Sequence, residues 1–225
     1  MKHKYQLHTH TATVSKCGRT TPEELAVALH NAGYAGCVLT NHFYHGNTGI
    51  NRELSWNEFV SEYEKNYLEC KRQCEKYGLD IIFGIEESVG GGREILCYGI
   101  TPKMLYDHPE LIDKSYELWY KTLHALGVVV IQAHPYRVRG YITDPGILPL
   151  EFIDGIEVYN YANLPEHNAE AEAFAEENPH LILTAGADTH VPETVGFSGI
   201  ETGARIKNGK KLCEILKSGK YKIIK

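Results

Sequence analysis

The chain has 225 residues, a length that suits one domain with a substantial apolar core. Hydrophobic residues make up 43% of it and charged residues 23%, proportions that exclude disordered and fibrous architectures. The formal net charge of -6 and the lack of a long basic run argue against binding to long nucleic acids. The twelve histidines are the unusual feature of the composition.

The sequence predicts a protein that does not cross a membrane, because its apolar runs are far shorter than the roughly eighteen residues that a spanning helix needs. The amino terminus lacks the apolar segment of a secretory signal, so we expect a cytoplasmic location. The six cysteines should then be free thiols. Their scattered spacing matches neither a zinc ribbon nor a disulfide framework, and we interpret them as small buried apolar residues.

Short apolar runs separated by helical stretches predict an α/β fold with a largely parallel sheet. The eight predicted strands are Tyr5–Leu7, Gly36–Leu39, Asp80–Ile85, Glu94–Tyr98, Val128–Ala133, Gly155–Tyr159, Leu181–Ala185 and Tyr221–Ile224. An alternation repeated about seven times in this length favours a barrel over an open sheet. We expect one domain that spans residues 1–225.

Helix starts are marked by capping boxes at two places. Thr21-Pro22-Glu23-Glu24 predicts a helix that Gly33 ends, and Ser55-Trp56-Asn57-Glu58 predicts a long helix that ends near Gly78. The spacing of apolar residues predicts three further helices. These cover Ser115–Leu126, Pro165–Glu177 and Lys210–Lys217.

Histidines and an acid follow the first three predicted strands. His8 and His10 are two residues apart on an extended segment, so both imidazoles point to one side and can bind one ion. His42 comes after the second strand, and Glu86 comes after the third. Because a carboxylate can bridge two ions, Glu86 favours a site with more than one metal.

The later strands are followed by the same kinds of residue. Seven potential ligands therefore stand near the carboxyl ends of predicted strands: His8, His10, His42, Glu86, His134, Asp188 and His190. These ends meet at one mouth in an α/β barrel. Seven ligands exceed the need of one tetrahedral ion, and imidazole and oxygen donors suit zinc, manganese or iron. The pattern therefore predicts two or three divalent metal ions.

The order of these motifs resembles the polymerase and histidinol phosphatase (PHP) superfamily, whose members read HxH, usually TDH, GxE, AHP and DxH. The resemblance runs from Leu7 to His190, most of the chain. It implies a distorted TIM-like (β/α)7 barrel, a cluster of two or three metal ions and phosphoesterase activity. It also implies that the seven residues occupy the family's ligand positions.

The chain departs from the family pattern at three places. Asn41 stands where the family commonly has Asp, which changes the support of a ligand imidazole. Glu94 stands near the place of a family histidine, and it is a possible substitute ligand. The loop at Ser15-Lys16-Cys17 has neither the His nor the Asp that the family often places there, which puts the third metal position in question.

The implied reaction is hydrolysis of a small phosphate ester, a phosphorylated metabolite or a nucleotide, by a water that the metals activate. Asp188 or a motif histidine such as His190 is predicted to protonate the leaving group. The guanidinium of Arg137 is the leading candidate for holding the phosphate, with Arg19 and His45 as weaker candidates.

Two other functions stay open at this point. An amidohydrolase also opens with HxH and uses a water activated by metal in a barrel, but that superfamily usually has a longer chain and closes on a lone Asp. A catalytically silent PHP-like scaffold is the other alternative, which the intact ligand set disfavours.

Overall fold

A computed structural model describes residues 2–225 of the protein. The described chain has nine strands in one sheet that curls into a distorted TIM-like α/β barrel. The strands are β1 (His3–Gln6), β2 (Gly36–Leu39), β3 (Asp80–Gly90), β4 (Arg93–Tyr98), β5 (Val129–Gln132), β6 (Gly155–Asn160), β7 (Ile182–Gly186), β8 (Gly199–Thr202) and β9 (Tyr221–Ile224).

The sheet order is β7-β6-β5-β4-β3-β2-β1-β8-β9. Strands β1, β2 and β3 are parallel to one another, as are β5, β6 and β7. A parallel bridge between Thr9 and Thr189 joins the loops that follow β1 and β7. The carboxyl ends of the first and the last barrel strands are therefore brought side by side, which closes the ring at the mouth.

The helices are α1 (Pro22–Asn31), α2 (Trp56–Glu75), α3 (Pro102–Asp107), α4 (Tyr116–Ala125), α5 (Pro165–Glu177) and α6 (Gly209–Ser218). All five helices that the sequence predicts are confirmed to within three residues at each end. The capping boxes at Thr21 and Ser55 are both formed.

Three features differ from the predicted alternation of parallel strands and helices. Strand β4 runs antiparallel to both β3 and β5, because the glycines at 90–92 fold β3 and β4 into a hairpin that leaves no room for a helix. Strand β8 was not predicted, and it pairs antiparallel with β1 and β9. Helix α3 was also missed, because six residues are too few to show an apolar period.

Helix α6 lies against the interior of the barrel, on the side away from the mouth. Its buried residues Leu212, Ile215 and Leu216 belong to one apolar cluster with barrel residues such as Tyr98 and Ile131. Apolar side chains therefore fill this end of the barrel. In residues 2–225 no helix is long and apolar enough to serve as a membrane span.

The capping box of α2 gives a stability prediction. Ser55 Oγ accepts a hydrogen bond from the Glu58 backbone N–H at 3.4 Å, and Glu58 Oε2 accepts one from the Ser55 N–H at 3.0 Å. Ser55→Ala should lower the free energy of unfolding by about 1 kcal/mol. For a chain of this size that is a fall of about 2–4 °C in the melting temperature, measurable by thermal unfolding. Ser61→Ala, within the same helix, is the control, and an equal loss in both variants would contradict the capping explanation.

Candidate metal centre

The carboxyl ends of the barrel strands bring the seven predicted ligands into one buried cluster. His8 and His10 follow β1, His42 follows β2, and His134 follows β5. Asp188 and His190 follow β7, and Glu86 lies within β3. His8 and His10 are fully buried, and of the seven only His190 has a side chain that is partly exposed. Residues nearly two hundred positions apart therefore share one small volume.

The carboxylate of Glu86 lies at the centre of this cluster. Glu86 Oε1 is 3.0 Å from His8 Nε2 and 3.2 Å from His134 Nε2. Glu86 Oε2 is 2.9 Å from His42 Nδ1 and 3.3 Å from His10 Nε2. One carboxylate thus touches four imidazoles, two through each oxygen. This is the arrangement that a carboxylate bridging two cations requires.

The imidazoles of His8 and His10 are held by groups behind them. His8 Nδ1 is 3.1 Å from a carboxylate oxygen of Glu157, and His10 Nδ1 is 3.0 Å from Ser15 Oγ. A carboxylate only accepts hydrogen bonds, so Nδ1 of His8 must carry the hydrogen. The Nε2 lone pairs of both rings are consequently left to face Glu86 and Asp188 when a cation is bound.

Asp188 is held by charges on two sides. Its Oδ1 is 3.4 Å from His8 Nε2 and 3.3 Å from His10 Nε2, and its Oδ2 is 2.8 Å from Arg137 Nη2. Burial raises the pKa of Asp188, but the positive charges of His8 and Arg137 outweigh burial and hold that pKa well below its usual range. Asp188 is therefore an anion at neutral pH.

The other charges of the cluster follow the same balance between burial and neighbouring groups. Burial opposes the charged forms of Glu86 and His8. The charges of His8 and His42 nevertheless hold the pKa of Glu86 well below its usual range. The charges of Asp188 and Glu86 likewise raise the pKa of His8 well above its usual range. Burial and the charge on His42 lower the pKa of His10 to about 3. His10 is therefore neutral near pH 7, as a metal ligand must be.

The residues fit divalent cations by two tests. First, His42 Nδ1 and Glu86 Oε2 are buried, and neither has a hydrogen-bond partner within residues 2–225 although the two atoms are only 2.9 Å apart. Buried polar atoms left without hydrogen bonds at this spacing mark a place where added positive charge, such as that of a cation, is accommodated. Second, the potential ligands form overlapping groups of three: His10, His42 and His190; His8, His10 and Asp188; His8, Glu86 and His134; His42, Glu86 and Glu94.

Backbone strain occurs at the same place. His134 and Asp188 have φ angles of 30° and 50°, in the left-handed region that residues with a Cβ rarely adopt. Such strain persists where surrounding structure enforces it, and it concentrates at functional sites. Here it turns both side chains toward the cluster directly after β5 and β7.

The structure shows the contacts of two residues that differ from the family pattern, Glu94 and Asn41. Glu94 lies beside the cluster, with its oxygens 3.3 Å from His42 Nδ1 and 3.3 Å from His134 Nε2, as a possible ligand would. Asn41 Oδ1 accepts hydrogen bonds from the Thr11 N–H and from Ser15 Oγ, and its amide nitrogen donates to Asn66. A carboxylate at position 41 could not make that last bond. Asn41 thus supports His10 indirectly, through Ser15.

Two residues beside the cluster were not among the predicted site residues. Glu157, in the middle of β6, belongs to no short motif, and its only sequence signal is an acid inside an otherwise apolar strand. Cys17 was interpreted as a buried apolar residue, but it is partly exposed and its Sγ is 3.1 Å from His190 Nε2. Burial raises the pKa of this thiol, but the hydrogen bonds with His190 and His42 lower it to about 6.

A cavity of about 530 Å³ opens beside the cluster. It is lined by His42 and Glu94 on the cluster side and by His45, Asn47, Ser88 and Tyr141 around the wall. Of the three residues predicted to hold phosphate, His45 lies in this wall and Arg19 is exposed on the loop after β1. Arg137 is instead held against the cluster by Asp188, Asn160 and Asn163.

Comparisons with known proteins found one family match and several solved structures with a similar fold. Residues 165–221 match the family model described as PHP-associated. No curated protein sequence matches the chain. A protein assigned as a metal-dependent phosphoesterase from Bifidobacterium adolescentis is 16% identical with a TM-score of 0.59, and the match covers 95% of this chain and 96% of that one.

Two further solved structures share the fold. An amidohydrolase from Chromobacterium violaceum, with bound sulfate and no metal, is 18% identical with a TM-score of 0.62, over 95% of this chain and 96% of that one. A lesion-specific endonuclease from Pyrococcus furiosus is 14% identical with a TM-score of 0.64, over 99% of this chain and 58% of that one. These neighbours share the barrel fold with the chain over nearly its whole length, and the match to a PHP-associated family model is confined to residues 165–221.

Proposed function

We propose that the protein is a metal-dependent phosphoesterase, that residues 1–225 form one PHP-like hydrolase domain, and that its substrate is the phosphate monoester of a small metabolite or nucleotide. The observation that carries this proposal is the position of Glu86, whose two oxygens touch four imidazoles in a buried cluster. Buried carboxylates at this density need compensating positive charge, which divalent cations supply. Two proteins of similar fold, one assigned as a metal-dependent phosphoesterase and the other a lesion-specific endonuclease, also support it.

The ligands divide into sets around shared residues. We assign one cation to His8, His10 and Asp188 and a second to Glu94 and His134, with Glu86 shared between the two, and a third to the group that contains His42 and His190. When bound, such cations lower the pKa of a water molecule toward neutrality and offset negative charge on phosphate oxygens. Zinc, manganese and iron suit these imidazole and carboxylate donors.

The protein's own groups have distinct roles in this scheme. The ionised Asp188 would hold a cation, and Arg137 fixes the direction of its carboxylate through the 2.8 Å contact. We keep Arg137 as the candidate contact for a phosphate oxygen, because its guanidinium lies against the cluster. His45 can return a proton to the leaving oxygen, because the residue lines the cavity, and its Nδ1 is 3.6 Å from Glu87 Oε1. We place His190, which was predicted to be catalytic, among the ligands.

The cavity supports a small substrate. Its volume of about 530 Å³ is within the range of roughly 300–1,000 Å³ typical of small-molecule sites. No Lys or Arg is among the residues that line it, so a long polyanion would have little to bind there. The wall residues Asn47, Ser88 and Tyr141 offer neutral hydrogen-bonding groups for the remainder of the substrate.

Metal removal and return is the decisive test of this function. The protein would be depleted with a chelator, reloaded separately with zinc, manganese or iron, and assayed on an aryl phosphate monoester, an aryl phosphate diester and an amide. We expect phosphate release from the monoester to disappear on depletion and to return with at least one metal. Bound metal should also raise the melting temperature, since a ligand at 100 times its Kd stabilises by about 2.7 kcal/mol.

The alternatives give different results in the same experiment. Metal-dependent hydrolysis of the amide, with no turnover of either phosphate, would identify the amidohydrolase alternative. A folded protein that retains no metal under any condition would identify the scaffold alternative. Either result would contradict the phosphoesterase proposal.

A further inference from the structure

Cys17 lies in the loop after β1, at the edge of the ligand cluster. Its Sγ lies 3.1 Å from Nε2 of His190. The other nitrogen of that ring, Nδ1, is 2.7 Å from the backbone carbonyl oxygen of Asp188, to which it donates its hydrogen. The Nε2 lone pair of His190 is therefore the one that faces the sulfur.

The Cys17 thiol lies beside a group of three histidines. Ring nitrogens of His10, His42 and His190 lie within 4.8 Å of one another. The other three groups of potential ligands each include a carboxylate, whereas this group consists of imidazoles alone. His42 is more than nine-tenths buried, its Nδ1 faces Glu86 and Glu94, and its ring also has a side-chain hydrogen bond with the Cys17 thiol. The group thus lacks the negative ligand that would balance a divalent charge, and Cys17 stands beside it.

The distance between sulfur and nitrogen fits a shared ion. A tetrahedral zinc ion binds thiolate at about 2.3 Å and imidazole at about 2.0–2.1 Å, so two such ligands lie roughly 3.5 Å apart. The observed 3.1 Å is a few tenths of an ångström shorter. Cys17 is partly exposed on a loop, so a shift of that size needs no rearrangement of the barrel.

We propose that Cys17 is a metal ligand, which with His42 and His190 completes a third cation site whose thiolate favours zinc over manganese. This inference rests on the proposed metal cluster. Binding forms a bond between sulfur and the cation and releases the thiol proton to solvent, with no change of oxidation state. Thiolate is a soft ligand that selects zinc, whereas carboxylate and water suit manganese, so this site differs in preference from those that contain Glu86.

Cobalt substitution tests the proposal by a readout independent of turnover. Metal-depleted full-length protein would be titrated with Co²⁺, and the near-ultraviolet charge-transfer absorption of a cobalt–thiolate bond would be recorded with the number of ions bound per chain. We expect the absorption in the wild type and its loss in Cys17→Ser, with one fewer ion bound. Cys213→Ser is the matched control. Cys213 is buried, and its thiol donates a hydrogen bond to the Tyr98 carbonyl oxygen, far from the mouth. This variant should therefore keep the absorption.

A second variant tests the metal preference. Cys17→Asp replaces sulfur by an oxygen ligand, and it should restore the number of bound ions while lowering the retention of zinc relative to manganese. A Cys17→Ser protein with unchanged absorption and unchanged ion count would overturn the proposal and leave the proposed function intact. A wild-type protein that binds no cobalt, zinc or manganese would overturn the proposal and the proposed function together.

Discussion

Replacing Glu86 with glutamine is expected to reduce phosphate ester hydrolysis by roughly 10³-fold, because a cation that polarises a phosphate contributes several kcal/mol and each 1.36 kcal/mol is a factor of ten in rate. Glu86 touches the imidazoles of His8, His10, His42 and His134 through two charged oxygens. A glutamine offers one uncharged oxygen, and its amide hydrogens would face imidazole nitrogens that should bind metal. Activity on an aryl phosphate and bound metal per chain measure the effect.

The adjacent acid provides a matched control for this substitution. Glu87 is equally buried, but its Oε1 accepts hydrogen bonds from the backbone N–H groups of His45 and Ser88, outside the cluster. Glu87→Gln keeps an oxygen for both bonds and should retain the full number of bound ions. Equal loss of metal in the two variants would show that any change at this point of β3 disrupts the site, and the central role of Glu86 would then be wrong.

The sequence predicts most of the fold because helices and buried strands have strong local signals. The capping boxes at Thr21 and Ser55 mark helix starts within one residue, since side chain and backbone satisfy each other there. Strand direction has no such signal. Strand β4 looks like its neighbours in composition, and its reversal depends on three consecutive glycines whose hairpin could not be distinguished from an ordinary loop. Strand β8 carries a Gly and a Glu in four residues, which hides its apolar pattern.

The residues of the metal centre also divide into those with a local sequence signal and those without one. The seven predicted ligands belong to short motifs, six of them beyond strand ends and Glu86 inside β3, which runs on to Gly90, and the structure brings all seven together with Glu94. Cys17 and Arg137 could not be placed from sequence, because the direction of a loop side chain depends on contacts made by distant residues. The guanidinium of Arg137 is directed by Asp188, Asn160 and Asn163, and only one of these lies in a motif. A sequence can therefore suggest the ligands of such a centre more easily than the groups that orient them.

Glu157 is the orienting group with the largest expected effect. Its carboxylate, 1% exposed, contacts three donors: His8 Nδ1 at 3.1 Å, the His134 backbone N–H at 3.0 Å and the Asn160 amide nitrogen at 2.7 Å. It thus fixes one ligand from β1 and another from β5. Glu157→Gln supplies one oxygen and turns an amide nitrogen toward donors, so two nitrogens would confront each other. We expect metal affinity to fall by about 10–100-fold, as for other groups that orient metal ligands.

Gly186 allows the same contact to be tested without changing a charge. A Cβ at this position would lie 2.2 Å from Glu157 Oε1 and 2.4 Å from the Cβ of His8. Gly186→Ala should therefore separate the pair and weaken metal binding in the same direction as Glu157→Gln. Glu170→Gln, on the exposed face of α5, is the control for loss of one acid. Zinc dissociation constants that stay unchanged in both Glu157→Gln and Gly186→Ala, in proteins that unfold at the wild-type temperature, would show that Glu157 does not orient His8. Weaker zinc binding in these two variants alone would instead establish that the barrel positions its ligands through a buried acid on β6.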